Sequence, residues 1–484
     1  MEALLSFHSL SAGGPSGTRA AHIREAIGSD RGGTLLSTMT SIINNLAAGK
    51  VPSEVSPFLC GANLFAALKK SGGHRPVAVG ETLRRWTAKC VTRKATADCE
   101  GYLTPNQLGV GVKCGAEAII HAANTIFQDD STPLERKWFL QIDFENAFNM
   151  IDRGAVIYAV RQHCPKAASW VETCYAAHTH LFFGHTRISS TTGAQQGDPL
   201  SSLLFALVLH PIILHLRETL PDLILNAWYL DDGTLSGTPS DLKTAFDVIQ
   251  TQGSSVGLNL NASKSLIWCG DADVSNDPLQ RGVPRAAADG FHLLGAPVGN
   301  IPFSRDAVDA RIMKIGDIFD MLPSLNDSQI EFCLLRSCFS FPKFSYCIRT
   351  CEPKSIFPIY EKFDEEQLST FSLSIGRQLD DAARKQAFLP VKLGGLGLRS
   401  AKQHAAAGFI ASVSRTRPIV QALLPGNVRR RVLDDALSLL RTFSGNATYS
   451  SLSLLPPEFT QHSLSREIDS HSFKDLLDAA NRIE

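Results

Sequence analysis

The segment from Pro199 to Leu216 is apolar on every side. As a helix it has no face to offer to water, so it must lie inside a core. Ser201, Ser202, His210, Pro211 and His215 interrupt it. A buried helix fits those residues better than a membrane span. A helix covered all round needs strands and other helices around it, and the chain can supply them. It has 484 residues, of which 44% are hydrophobic and 8% aromatic, enough for about two to four domains with real cores.

The surrounding pattern is mixed. Helices are expected from Arg19, over 31–50 and 113–128, and from a segment carrying Arg84, Arg85 and Lys89. A buried strand is expected over 137–143. Segments 181–184 and 186–190 read as a strand pair split by Gly184-His185. Asp198 reads as the N-cap of the apolar helix with Pro199 at its first position. An apolar strand over 223–230 leads to a turn at Asp231-Asp232-Gly233. From about 304 onward the chain is patterned mainly as helix.

Formal net charge is zero, so any affinity for nucleic acid must come from how charge is distributed. Lys69, Lys70, Arg75, Arg84, Arg85 and Lys89 are a candidate basic groove. The eleven cysteines show neither zinc spacing nor a disulfide framework, so reduced thiols and an intracellular protein, nuclear or cytoplasmic and not secreted, are expected. Met1 to Leu10 does not read as a signal peptide, and no membrane association is expected.

Acidic residues stand at the ends of two of the apolar strands. Asp143 follows Phe139-Leu140-Gln141-Ile142, and Asp231-Asp232 follow Trp228-Tyr229-Leu230. Alone, the first is an ordinary strand end and the second an ordinary turn. Together with Gln196-Gly197-Asp198-Pro199 at the mouth of the apolar helix, they form an ordered set. Phosphoryl transfer by two metal ions needs little more from a protein than fixed carboxylates. Mg²⁺ takes oxygen ligands and keeps several waters, and rigid strand ends suit that.

These three segments resemble motifs A, B and C of reverse transcriptases, in order. The wider chain resembles those of non-LTR, LINE-type retrotransposons. Arg75-Pro76-Val77 is similar to their fingers motif, Gly257-Leu258-Asn259-Leu260-Asn261 with Lys264 to motif D, and Leu294-Gly295-Ala296-Pro297-Val298-Gly299 to the primer grip. The resemblance implies an α+β right-hand polymerase fold of fingers, palm with antiparallel sheet, and thumb, with a helical C-terminal extension. The corresponding division is 1–60 as an N-terminal helical extension, 61–300 as fingers and palm, 301–380 as thumb and 381–484 as helical C-terminal region.

It also implies roles. Asp143, Asp231 and Asp232, with the backbone carbonyl of Phe144, would hold two Mg²⁺ ions, with Mn²⁺ as an alternative. Arg75 would meet the triphosphate of the incoming nucleotide. Phe148 would stand where a ribose 2′-hydroxyl would go and so favour deoxynucleotides. Gln196 and Gly197 would line the nascent base pair, and Lys264 would donate a proton to the leaving pyrophosphate. The implied partners are an RNA template, a DNA primer and dNTPs. Two rivals remain: an RNA-dependent RNA polymerase, against which Phe148 argues, and a decayed or domesticated copy that binds RNA without catalysis, against which the three intact aspartates argue.

Overall fold

The computed structural model describes residues 1–68, 72–271, 282–424, 432–449 and 459–481. The chain forms two compact units. One is built mainly from Met1–Lys113 and Trp138–Ile267, the other mainly from Cys114–Lys137 and the chain from Arg285 onward. The architecture is α+β, as expected, with a helical C-terminal part. The units follow tertiary contacts and not the simple chain order, because 114–137 joins the second unit.

The first unit holds two four-stranded sheets. In one, Ala62–Leu68 pairs antiparallel with His74–Gly80 and parallel with Thr179–Phe183, which returns antiparallel as Thr186–Ser190. The expected strand pair at 181–190 is therefore present, with Gly184 left-handed in its two-residue turn.

The other sheet carries the acids. Its order is Leu225–Tyr229, Asp232–Gly237, Trp138–Ile142, Leu266–Trp268. Asp232–Gly237 lies between the first strand and the Asp143 strand, antiparallel to both. Ile142 pairs with Gly233 and Tyr229 with Asp232. Tyr229 opposite Asp232 leaves only Leu230 and Asp231 in the turn. The turn thus comes one residue earlier than the sequence suggests, and Asp232 already belongs to the second strand.

The apolar helix spans Ser201–Thr219, and twelve of its side chains, including Leu203, Phe205, Leu207 and Ile213, are buried. Burying each large apolar side chain contributes about 1.5–3 kcal/mol relative to exposure. Among the described residues it is the one helix long and apolar enough to cross a bilayer, and it is packed inside this unit. Asp198 is not its N-cap. Leu200 is; Asp198 stands before the helix, its Oδ2 taken by Arg84 and Tyr175 and its Oδ1 accepting from the Leu200 N–H at 3.0 Å.

Cys99 and Cys164 are joined as a disulfide, against the expectation of reduced thiols throughout. Their spacing in sequence carries no signal for this. They meet because the helix Thr82–Leu103 packs against Pro165–Tyr175, whose N-cap is Cys164. The other nine cysteines form no disulfide among the described residues.

The second unit is mainly helical. Ile301–Met321, Phe341–Thr350, Pro353–Ile375 and Ala401–Leu423 surround a core that includes Ile312, Phe319, Phe344, Tyr360 and Phe363. A short hairpin, Gly290–Leu293 with Ala296–Gly299, turns at Leu294-Gly295, both left-handed.

Candidate active site

Antiparallel pairing brings the three aspartates to one end of one sheet. With Ile142 opposite Gly233, the next step along both strands sets Asp143 beside Asp232. Paired Cα atoms in such strands lie about 4.5–5.5 Å apart. Asp231 is the adjoining turn residue. The sequence brings no local contact between Asp143 and this hairpin; only the sheet does.

The Asp143 backbone is fixed on both sides. Its N–H donates to the Ser265 hydroxyl at 3.2 Å, and its carbonyl accepts from the Asn261 N–H at 2.8 Å. Glu145 N–H donates to the Asn259 carbonyl at 2.8 Å. Phe144 thus sits opposite Leu260, and neither bond uses the Phe144 carbonyl. Its ring is buried and stacked on Trp228 at 6.3 Å between centroids. The Gly257–Asn261 segment therefore adjoins the acid strand. Lys264 is exposed on the turn that follows. Asn261 belongs to the segment similar to motif D, whereas Ser265, which also positions Asp143, carries no signal in the sequence, where a serine beside a lysine reads as an ordinary turn residue.

Negative charge gathers at the site. Burial pushes the Asp231 carboxyl above the usual carboxylate range, while its backbone hydrogen bond and the positive charge of Arg75 pull the other way. Asp232 is pushed up to about 6 by the protein crowded around it and by the negative charges of Asp231 and Asp143. Its side chain still reaches solvent, and the repulsion of the two neighbouring acids adds to the effect of burial. Two neighbours that resist ionising together are relieved by a divalent cation. Among the described residues, no three His, Cys, Asp or Glu side chains are closed into a ligand set. The donor chemistry nonetheless fits a hard cation: oxygen atoms only, with mutual repulsion.

Arg75 lies exposed on the strand His74–Gly80. Three residues further, Ala78 N–H donates to the Gln196 carbonyl at 2.9 Å. Gly197, at φ +121°, packs so closely there that a Cβ would fall 2.4 Å from the Ala78 oxygen. Only glycine fits. Gln196 Oε1 is buried with no hydrogen-bond partner among the described residues, and Gln196 lines a cleft of about 260 Å³ with Pro76, Ala78, Asn149 and Ala194. Phe148 is half-buried and stacks on Phe205 at 4.9 Å. Its carbonyl accepts from the Ala194 N–H at 2.7 Å, which ties the segment after Asp143 to the one carrying Gln196. The fold thus gathers Asp143, Phe144, Phe148, Gln196, Gly197, Asp231 and Asp232 in one unit, with Arg75 facing Asp231.

Among the described residues the expected basic groove does not form as a group. Arg84 is buried, bonded to the Cys60 carbonyl, the Gln195 side chain and Asp198. Arg85 reaches the Ala12 carbonyl, and both it and Lys89 lie over the Phe7 ring. These three cations serve helix packing because their helix buries the face they stand on. Lys69 and Lys70 lie outside the described residues.

Residues 67–298 match the family model described as reverse transcriptase (RNA-dependent DNA polymerase). The retrotransposable element SLACS 132 kDa protein of Trypanosoma brucei gambiense is 23% identical over 384 residues, which take in 75% of this chain and 30% of that protein. The chain therefore spans less than a third of that relative's length. Among solved structures, apo telomerase from Candida tropicalis gives a TM-score of 0.43 at 12% identity, covering 90% of this chain and 74% of the other. Telomerase from Candida albicans in complex with a TWJ fragment of telomeric RNA gives 0.38 at 12% identity, covering 78% and 68%. Likenesses at that level carry no weight in the assignment.

Proposed function

We propose that this chain, whose residues 67–298 match the reverse transcriptase model and which is similar to a retrotransposable-element protein, is a reverse transcriptase of a non-LTR retrotransposon and extends a primer 3′-hydroxyl by RNA-directed DNA synthesis. The observation that carries the reading is the meeting of Asp143, Asp231 and Asp232 at one sheet end, where Asp231 and Asp143 add to the upward push on Asp232. In this reading that sheet is the palm of a right-hand polymerase, and the sheet bearing Arg75 belongs to its fingers.

Enzymes of this family use divalent metal ions. Two Mg²⁺ ions, or Mn²⁺, held by the three aspartates and the Phe144 carbonyl, would supply Lewis-acid stabilisation of the attacking oxygen and of the triphosphate. The chain's own residues do the rest. Arg75 binds phosphate. Gln196 and Gly197 border the base pair, and the unsatisfied Gln196 Oε1 is a hydrogen-bond acceptor available there. The Phe148 ring, backed by Phe205, blocks a 2′-hydroxyl. Lys264 gives its proton to the leaving pyrophosphate. RNA template, DNA primer and dNTPs are the partners, and the nucleus or cytoplasm is the place of action.

The test is primer extension on an RNA template by the purified chain, with Mg²⁺, Mn²⁺ or chelator. Extension with dNTPs that stops on chelation is expected. Failure to extend with either metal, by a chain that melts cooperatively, would overturn the reading.

A further inference from the structure

Leu230 is an unusual residue for the place it occupies. It is the first of the two turn residues between Tyr229 and Asp232, and its φ is +57°. Tight hairpins need such a backbone, and glycine, asparagine or aspartate normally supplies it. A leucine in the left-handed region is strained by its Cβ, so it persists only where surrounding groups hold it.

Those groups are visible. The Gln107 side-chain amide grips the Leu230 peptide from both ends. Oε1 accepts from the Leu230 N–H at 2.8 Å, and Nε2 donates to the Leu230 carbonyl at 3.1 Å. The same Oε1 accepts from the Gly109 N–H at 3.1 Å. Gln107 is fully buried. Its own segment is anchored as a short parallel neighbour of the Leu225–Tyr229 strand: Trp228 N–H donates to the Asn106 carbonyl and Leu108 N–H to the Trp228 carbonyl, both at 2.7 Å. Gly109 completes the seat. A Cβ there would lie 2.6 Å from both Leu230 N and Cγ, so the leucine side chain fills the space the glycine leaves.

We infer that Gln107, with Gly109, is a positioning residue for the acid turn: it holds Leu230 left-handed and thereby aims Asp231 and Asp232 at Asp143. The inference rests on the polymerase reading for its consequence in catalysis, but the clamp itself acts on the turn. A free leucine would relax toward negative φ and rotate the next peptide, carrying the Asp231 carboxylate away from its partners. Gln107 touches no reacting atom. Its effect passes wholly through Leu230, which makes a specific rescue available. Glycine at 230 takes the same φ without help, so it should make the clamp dispensable.

The experiment compares wild type, Gln107→Ala, the double variant Gln107→Ala/Leu230→Gly, and Asn106→Ala. Asn106→Ala removes the bond from Asn106 Nδ2 to the Asn226 carbonyl on the same strand, away from the turn. Two quantities are read beside the melting temperature: Tb³⁺ affinity by luminescence, and kcat with KM for dNTP in primer extension. We expect Gln107→Ala to lose about tenfold in kcat and several-fold in Tb³⁺ affinity, with KM little changed. The double variant recovers both, and Asn106→Ala lowers the melting temperature alone. If Gln107→Ala does not fold, Gln107→Met fills the same volume without the bonds and takes its place. Absence of rescue by Leu230→Gly, or a Tb³⁺ loss in Asn106→Ala matching its melting loss, overturns the clamp. A wild type that extends nothing while the Tb³⁺ pattern holds sinks the polymerase reading and keeps the clamp. A wild type that extends while the pattern fails does the reverse.

Discussion

Arg84 and the aspartate trio are two charge centres in the same unit, and they are handled in opposite ways. Arg84 is enclosed and answered. Asp198 meets it at 2.8 Å with both side chains almost fully buried, and Tyr175, Gln195 and the Cys60 carbonyl fill much of the remaining shell. Asp143, Asp231 and Asp232 are brought together as like charges, with Arg75 acting on Asp231, and the negative charges of the other two add to the upward push on Asp232. A charge matched from within serves architecture. A cluster of one sign, held rigidly at a strand end, is built for a partner of the other sign.

The strongest way to break this contrast is Arg84→Met. It strands Asp198 as a buried unpaired charge, and stability should fall by about 3–5 kcal/mol. Chemical denaturation reads it directly, and an unchanged midpoint would make the Arg84 network dispensable.

Asp231→Asn should do the opposite. Extension should drop by at least ~10²-fold, since metal stabilisation contributes several kcal/mol. Thermal stability should hold or rise, because a source of repulsion is gone. Near-normal extension by the folded variant would remove Asp231 from the chemistry.

Phe148→Ala sharpens the contrast at the site's edge. Opening space beside Phe205 should shift the ratio of rNTP to dNTP incorporation by about tenfold, within what one lost apolar contact supplies. An equal ratio in both proteins would leave Phe148 as packing only.

His210 offers a third treatment of buried charge, neutralisation. Burial pushes its imidazole down to about 4, and the ring lies edge-on to Tyr102. The unfolded chain binds this proton near pH 6.5 while the folded one does not. The contribution is therefore full above about pH 6.5 and is lost as pH falls toward 4. Between pH 6.5 and 5.5 the loss should be about 1 kcal/mol. His210→Leu should flatten that slope in urea melts taken across the window, and a slope equal to wild type would assign the effect elsewhere.

What was legible in the sequence was whatever periodicity and local chemistry encode. The strands at 138–142 and 225–229, the pair at 179–190 and the helix 115–127 follow from apolar pattern and turn residues. The candidate acids follow from their place after those strands. Long-range pairing was not legible. Asp198 reads as a helix cap until Arg84, far away in the chain, is known to claim it. Arg85 and Lys89 read as a nucleic-acid surface until Phe7 is found beneath them. The acid turn was misplaced by one residue because Asp232-Gly233 is the stronger local signal, and nothing near Leu230 announces Gln107.

The contact between Gly197 and Ala78 has a bearing on inheritance. On the reading proposed above, the chain is encoded by one copy of an element that gathers errors along its whole length as it is propagated, and a single base change turns a glycine codon into one for a residue with a side chain. At position 197 that side chain would press into the Ala78 carbonyl and part the strand of Arg75 from the segment of Gln196, leaving every aspartate intact. A copy can thus fall silent through one added methyl group while its acidic signature still reads as sound. In judging which copies remain competent, the absence of a side chain at 197 counts for as much as the presence of carboxylates at 143, 231 and 232.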